Sequence, residues 1–145
     1  MDESPAYLLH KLVREMDHAA DRLLRAHVRI SYKRALFLFV LQQHGPITQH
    51  ELAVALGYSD PAISSMLLEL AKDGYLSTTP SPAHGRKRLV TITPKGSEVA
   101  VKGRHLLDAH FAQLLVTAGV DAHHYRALTK QIYQALVTKM TQEES

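Results

Sequence analysis

The chain has 145 residues, a formal net charge of +3, ten histidines and no cysteine. Its length predicts one compact domain or two small lobes sharing a core, and the missing cysteines exclude a disulfide framework, a Cys-based zinc finger and a thiol redox switch, as fits a reducing compartment. Met1 to Pro5 lacks an apolar signal core, and the longest apolar run, Ala35 to Leu41, is far short of the roughly 20 residues that a bilayer requires, so a cytoplasmic chain with no membrane partner is expected.

Ser4-Pro5 reads as an N-cap and first helical residue. Leu9, Leu12, Met16, Ala19 and Leu23 follow at three- and four-residue steps, which predicts a long amphipathic first helix. Ser31 opens a second helix through Leu36, Phe39 and Val40, and His44-Gly45-Pro46 stops it. A third helix is expected over Ile47 to Gly57, with Thr48 and Glu51 as a capping box and Ile47 and Leu52 as a hydrophobic staple. Ser59 or Asp60 caps the fourth, Pro61 falls in its first turn, Ile63, Leu67 and Leu70 mark its buried face, and Gly74 ends it.

The period then changes from helical to alternating. Leu76 and Thr78 alternate with Ser77 and Thr79, a Pro-rich turn runs from Pro80 to Gly85, and Val90 and Ile92 alternate with Leu89 and Thr91. This predicts a two-stranded ribbon with a long basic tip. Thr93-Pro94 starts a fifth helix that runs through Val99, Leu106, Phe111 and Leu115 to Gly119, with Gly103 as a place for a bend. Asp121 caps the last helix, which carries Tyr125, Leu128, Ile132, Leu136 and Met140 on one face and is expected to fray over residues 141–145.

Charge is focused rather than spread. Residues 84–104 hold Arg86, Lys87, Arg88, Lys95, Lys102 and Arg104 against Glu98, and residues 22–34 hold Arg22, Arg25, Arg29, Lys33 and Arg34 with no acid. Each segment is +5 on a chain of only +3, a pattern that points to a polyanion bound at defined places. For residues 22–34 alone, the four-residue spacing is also that of an ordinary solvated helix face.

Two short helices followed by a basic hairpin form a device for gripping DNA. The fold class expected is mainly α with a small β-wing: a winged helix-turn-helix lobe over residues 31–93, with helical dimerisation regions over 1–30 and 94–145. In such a motif the second helix enters the major groove and its N-terminal residues meet base edges. Here those are Ser59, Asp60, Pro61, Ala62, Ser64 and Ser65, joined by Arg86, Lys87 and Arg88 on the wing. Arginine suits a narrow minor groove, where negative potential concentrates. The first helix and the last two carry more apolar surface than so small a motif can cover, so a symmetric homodimer is expected, with Leu8, Leu9, Leu12, Leu128, Ile132 and Leu136 at its interface.

At this point the chain resembles the MarR family of winged-helix regulators over nearly its whole length. The resemblance rests on His44-Gly45-Pro46-Ile47-Thr48-Gln49-His50-Glu51-Leu52-Ala53, on the recognition helix from Ser59 and Pro61 to Gly74-Tyr75-Leu76, and on Arg86 with Val90-Thr91-Ile92-Thr93-Pro94-Lys95-Gly96. It implies a homodimeric regulator, usually a repressor, on pseudo-palindromic operators, with Arg86 reaching the minor groove. It also implies release of DNA by a small aromatic or anionic effector held between the dimer helices and the winged lobe. The sequence departs from the family pattern in three places. His84 stands where an acid usually precedes the wing arginine, and Ser65 and Ser77-Thr78-Thr79 stand where the family often carries arginine.

Two other classes are weighed. Ten histidines suggest a zinc-responsive regulator using His and carboxylate ligands, but no His-Glu-x-x-His or other tight ligand spacing is present, so no metal or cofactor is expected. A winged helix can also serve as a protein-interaction module. An enzyme is not expected, because there is no glycine-rich phosphate loop, nucleophile motif or close carboxylate pair, and no catalytic residue is assigned. His84 at the wing tip suggests tighter DNA binding at mildly acid pH, since an unperturbed imidazole titrates near about 6.5.

Overall fold

The structure is a computed structural model that describes residues 3–83 and 87–145. Its helices begin where side-chain oxygens can take the free N–H groups of a first turn. Helix α1 (Pro5–His27) is capped by Ser4, whose Oγ accepts the Tyr7 N–H at 3.2 Å. Helix α2 (Tyr32–His44) is capped by Ser31 through the Arg34 N–H, and Gly45 ends it with a φ of 72°. Strand β1 (Ile47–Thr48) leads into α3 (Gln49–Leu56), where the capping box is complete: the Glu51 N–H donates to Thr48 Oγ1 at 3.1 Å and the Thr48 N–H to Glu51 Oε2 at 2.8 Å.

Gly57 closes α3 in the left-handed region, and Ser59 caps α4 (Asp60–Lys72). Strands β2 (Leu76–Pro80) and β3 (Arg88–Ile92) form the wing, followed by α5 (Pro94–Ala118) and α6 (Ala122–Glu143). Asp121 caps α6 by accepting the His124 N–H at 2.8 Å. The helix extends to Glu143, beyond the point where fraying was expected.

The sheet corrects one expectation. It has three antiparallel strands in the order β1-β3-β2, not two, with Ile47 opposite Val90 and Leu76 opposite Ile92. Ile47 and Thr48 therefore belong to the wing rather than to the third helix. Two residues are too short a run to show alternation, so only the pairing with β3 reveals them.

The chain divides into two compact units within α5, the first reaching through Leu107 and the second starting at Asp108. The first unit holds the core. Phe37 and Leu41 of α2, Leu52 of α3, Ile63, Leu67 and Leu70 of α4, Leu76 of β2 and Val90 of β3 are buried together. Leu24, Ile30, Ala35, Leu38 and Ala100 form a second cluster, and Tyr75 and Ile92 pack against both.

Two glycines of α5 permit close approach. A Cβ on Gly96 would lie 2.0 Å from the Tyr75 carbonyl oxygen. Thr93 holds that junction, its N–H donating to Tyr75 O at 3.1 Å and its hydroxyl to Gly74 O at 2.6 Å. Gly103, expected as a place for a bend, lies buried inside one helix, where a Cβ would come within 3.1 Å of Leu24 Cδ2 and 3.3 Å of the Phe39 ring.

In the second unit the Phe111 and Tyr125 rings meet edge to face at 5.2 Å, and α6 contains no buried residue. No described helix is long and apolar enough to cross a membrane.

Candidate nucleic-acid interface

Helices α3 and α4 are joined by Gly57, Tyr58 and Ser59 alone, a turn that the left-handed glycine makes possible. The buried face of α4 through Ile63, Leu67 and Leu70 fixes its rotation, which leaves Pro61, Ala62, Ser64 and Ser65 exposed. Ser59 Oγ is the N-cap, accepting the Ala62 N–H at 3.4 Å. Asp60 is the first helical residue, where a carboxylate is favoured by the helix dipole, and one of its oxygens lies 3.7 Å from His50 Nδ1.

Ser64 is more constrained than its sequence position suggests. Its hydroxyl donates to the Asp60 carbonyl oxygen at 3.1 Å and accepts from Gln49 Nε2 at 2.7 Å. Gln49 and His50 were not among the sequence-derived candidates. Their nearness to α4 arises from the packing of α3 on α4, and no spacing rule links position 49 to position 64.

On the wing, Lys87 and Arg88 are exposed. Arg88 Nη2 donates to Thr78 Oγ1 at 2.7 Å and to the Thr78 carbonyl at 3.4 Å. The hydroxyl-bearing strand thus aims the guanidinium of its neighbour. Arg86 and His84 lie outside the described residues. Thr48, Gln49, His50, Asp60, Lys87 and Arg88 together line an open groove of about 280 Å³. Its charges are two permanent cations and an ionisable imidazole against one carboxylate, a balance suited to an anionic partner.

The other basic segment, residues 22–34, is partly structural. Arg25 Nε donates to Asp21 Oδ2 at 2.8 Å, and Asp21 Oδ1 also accepts the Tyr32 N–H at 2.9 Å. These bonds, the one from Tyr32 first, hold the Asp21 carboxyl below the usual carboxylate range. Arg34 pairs with Asp73 at the C-terminus of α4, and that bond likewise lowers the Asp73 carboxyl. Lys33 Nζ lies 5.4 Å from the centroid of the Tyr58 ring, in the turn between α3 and α4. Arg29 adopts a left-handed φ of 60° in the α1–α2 connection. Among the described residues no three His, Asp or Glu side chains converge to hold a metal ion.

The expected dimer residues fall on two helices. Leu8, Leu9 and Leu12 are exposed on α1, and Leu128, Ile132 and Leu136 are exposed on α6.

The MarR family model matches residues 30–87, the segment that contains α2, the helix-turn-helix and the start of the wing. An uncharacterized HTH-type transcriptional regulator of Mycobacterium leprae is 25% identical over 92 residues, which are 63% of this chain and 64% of that protein. A second, from Mycobacterium bovis, is 26% identical over 88 residues, 61% and 62% of the two chains. The match therefore spans just under two thirds of the length of these relatives. Among solved structures, apo wild-type MarR from E. coli is similar with a TM-score of 0.78, 22% identity and coverage of 94% of this chain and 99% of that one. A mutant E. coli MarR complexed with operator DNA has a TM-score of 0.76 at 23% identity, covering 89% and 91%. The S. aureus MepR–DNA complex has a TM-score of 0.75 at 21% identity, covering 94% and 99%. At these identities the likeness is one of fold.

Proposed function

We propose that this chain, whose winged lobe over residues 30–87 belongs to the MarR family, is a homodimeric transcriptional regulator that binds pseudo-palindromic double-stranded operators and acts as a repressor. One observation carries the reading. The exposed first turn of α4 stands beside Lys87 and Arg88 of the wing, with an open groove lined by Asp60, Lys87 and Arg88 between them. Helix α4 has the size and polarity to enter a major groove, and the wing cations can reach phosphates on its flank. DNA complexes of two similarly folded proteins, one of them with operator DNA, support DNA as the partner. In this reading Arg86 is the minor-groove finger, and Ser59, Asp60, Pro61, Ala62 and Ser65 face the bases or the adjoining backbone.

Dimerisation follows from the apolar residues left uncovered. On α6, Ile132 is 67% exposed and Leu136 56%, and burying each contributes roughly 1.5–3 kcal/mol. A second copy supplies the matching surface by symmetry. The effector response is assigned to an apolar cleft of about 210 Å³ between α2 and α5, where Phe39 and Val101 offer a wall for an aromatic ring and Arg104 and His105 border it.

Selection of bound sequences from a random DNA pool tests the reading. The expected product is a pseudo-palindrome whose half-site centres lie about one helical turn, roughly 34 Å, apart. Enrichment of no sequence overturns it. With the selected operator, replacing Lys87 and Arg88 by Ala is expected to flatten the log–log salt dependence by about 0.9 for each phosphate that is no longer neutralised.

A further inference from the structure

We propose that Gln49, on the helix before the recognition helix, is a specificity-determining residue that reads an adenine edge in the major groove, its amide oriented by Ser64. The inference rests on the DNA-binding reading above and deepens it.

A serine hydroxyl carries one donor and two acceptor lone pairs. The Ser64 donor is committed to the Asp60 carbonyl at 3.1 Å, one turn back along α4. Toward Gln49 the same oxygen can therefore only accept, and it does so from Nε2 at 2.7 Å. This fixes which end of the amide meets α4. The nitrogen faces Ser64, so Oε1 is turned elsewhere, and it has no hydrogen-bond partner among the described residues.

The groups left over have a definite pattern. Nε2 keeps one hydrogen and Oε1 keeps its lone pairs; the proposal requires Ser64 to take the hydrogen anti to Oε1, which leaves a donor and an acceptor side by side in one plane. Adenine presents the complement in the major groove, an N6 amino donor beside the N7 acceptor. Guanine presents two acceptors there, and a phosphate presents only acceptors, so either would leave Oε1 unmatched. Ser64, with its proton committed, cannot donate to a purine N7 or a phosphate. It holds the reader rather than reading.

Position agrees with pattern. Gln49 borders the groove formed with Asp60, Lys87 and Arg88, and also an adjoining cleft with Ser64, Leu68 and Thr78. It thus lies between the first turns of α4 and strand β3. Its backbone is fixed by the Thr48–Glu51 capping box one residue away, and its side chain is half-buried, so little freedom is lost when a base is engaged.

The experiment is bind-and-select from a random DNA pool with the full chain, comparing wild type with Gln49→Ala, Gln49→Glu and Ser64→Ala, each checked by thermal melting. Wild type is expected to select adenine at one position of each half-site. Gln49→Ala should lose that preference alone, binding the wild-type operator roughly tenfold more weakly, within the range of one bidentate base pairing. Ser64→Ala should blunt the same position and no other, which a merely structural role would not do. Gln49→Glu keeps the side-chain length but has only acceptors, so it should shift the position from adenine toward cytosine, whose N4 amino group donates. Equal weakening on every sequence would assign Gln49 to the phosphate backbone and overturn the proposal, as would an unchanged preference in Gln49→Ala. A wild-type chain that enriches nothing overturns the DNA-binding reading itself, and this inference with it.

Discussion

Between Tyr32 and Ile92 each apolar stripe meets another stripe of the same lobe. Phe37 and Leu41 of α2, Leu52 of α3, Ile63 and Leu67 of α4 and Val90 of β3 close into one cluster. In α6, Leu128, Ile132, Leu136 and Met140 repeat at the same four-residue step, yet no residue of that helix is buried. The two patterns are equally regular as sequence. Periodicity states that an element has an apolar face, and it is silent on whether the cover for that face comes from the same chain. A stripe closed within the lobe supports folding, whereas an open stripe is surface available for association.

Four variants test that contrast. In the lobe, Phe37→Ala removes a fully buried ring that also meets Tyr58 at 5.6 Å, and should cost about 3–5 kcal/mol in denaturant unfolding. On the open stripe, Ile132→Glu with Leu136→Glu should leave the lobe folded while weakening self-association by about 3 kcal/mol, more than a hundredfold. Sedimentation read alongside operator affinity measures that weakening, and an unchanged dimer places the interface elsewhere. Gly96→Ala forces a methyl against the Tyr75 carbonyl and should cost about 2 kcal/mol, as far as the α5 start can shift to absorb it.

Asp21→Asn gives the smallest effect. The carboxylate bridges Arg25 and the first N–H of α2 from a partly solvated position, so the loss should be about 1 kcal/mol near neutral pH. Its sign with pH is fixed. The folded-state pKa is lowered, so this contribution is fully present above the unfolded carboxylate value of about 3.9 and is lost as pH falls through the folded value. Wild type and variant should therefore converge in stability in acid. A gap that widens below about pH 4 would show that Asp21 acts otherwise.

The residues legible in the sequence are those whose role is local. Ser4, Ser31, Thr48 and Asp121 are expected as caps, with Ser59 or Asp60 for α4, and Ser4, Ser31, Thr48, Ser59 and Asp121 each accept a backbone N–H within their own first turn. A cap acts over three residues, a span that the sequence displays directly. The buried face of α4 was legible for the same reason. By contrast β1, the Gln49–Ser64 bond and the Arg34–Asp73 pair join positions that lie 15 to 43 residues apart. No periodicity reports such separations. Nor does composition separate a cation held in an ion pair, such as Arg25, from one that is simply exposed, such as Lys87.

The sequence by itself determined the order of the helices, the caps at most of their starts, the β2–β3 hairpin and the exposed N-terminal turn of α4, because capping, alternation and glycine stops act over a few neighbouring residues. Tertiary structure decided which hydroxyls of that turn keep a free proton, where Arg88 points, and that Gly96 must be glycine. Those outcomes depend on groups brought within 3 Å by folding, where one committed hydrogen on Ser64 is enough to turn the Gln49 amide.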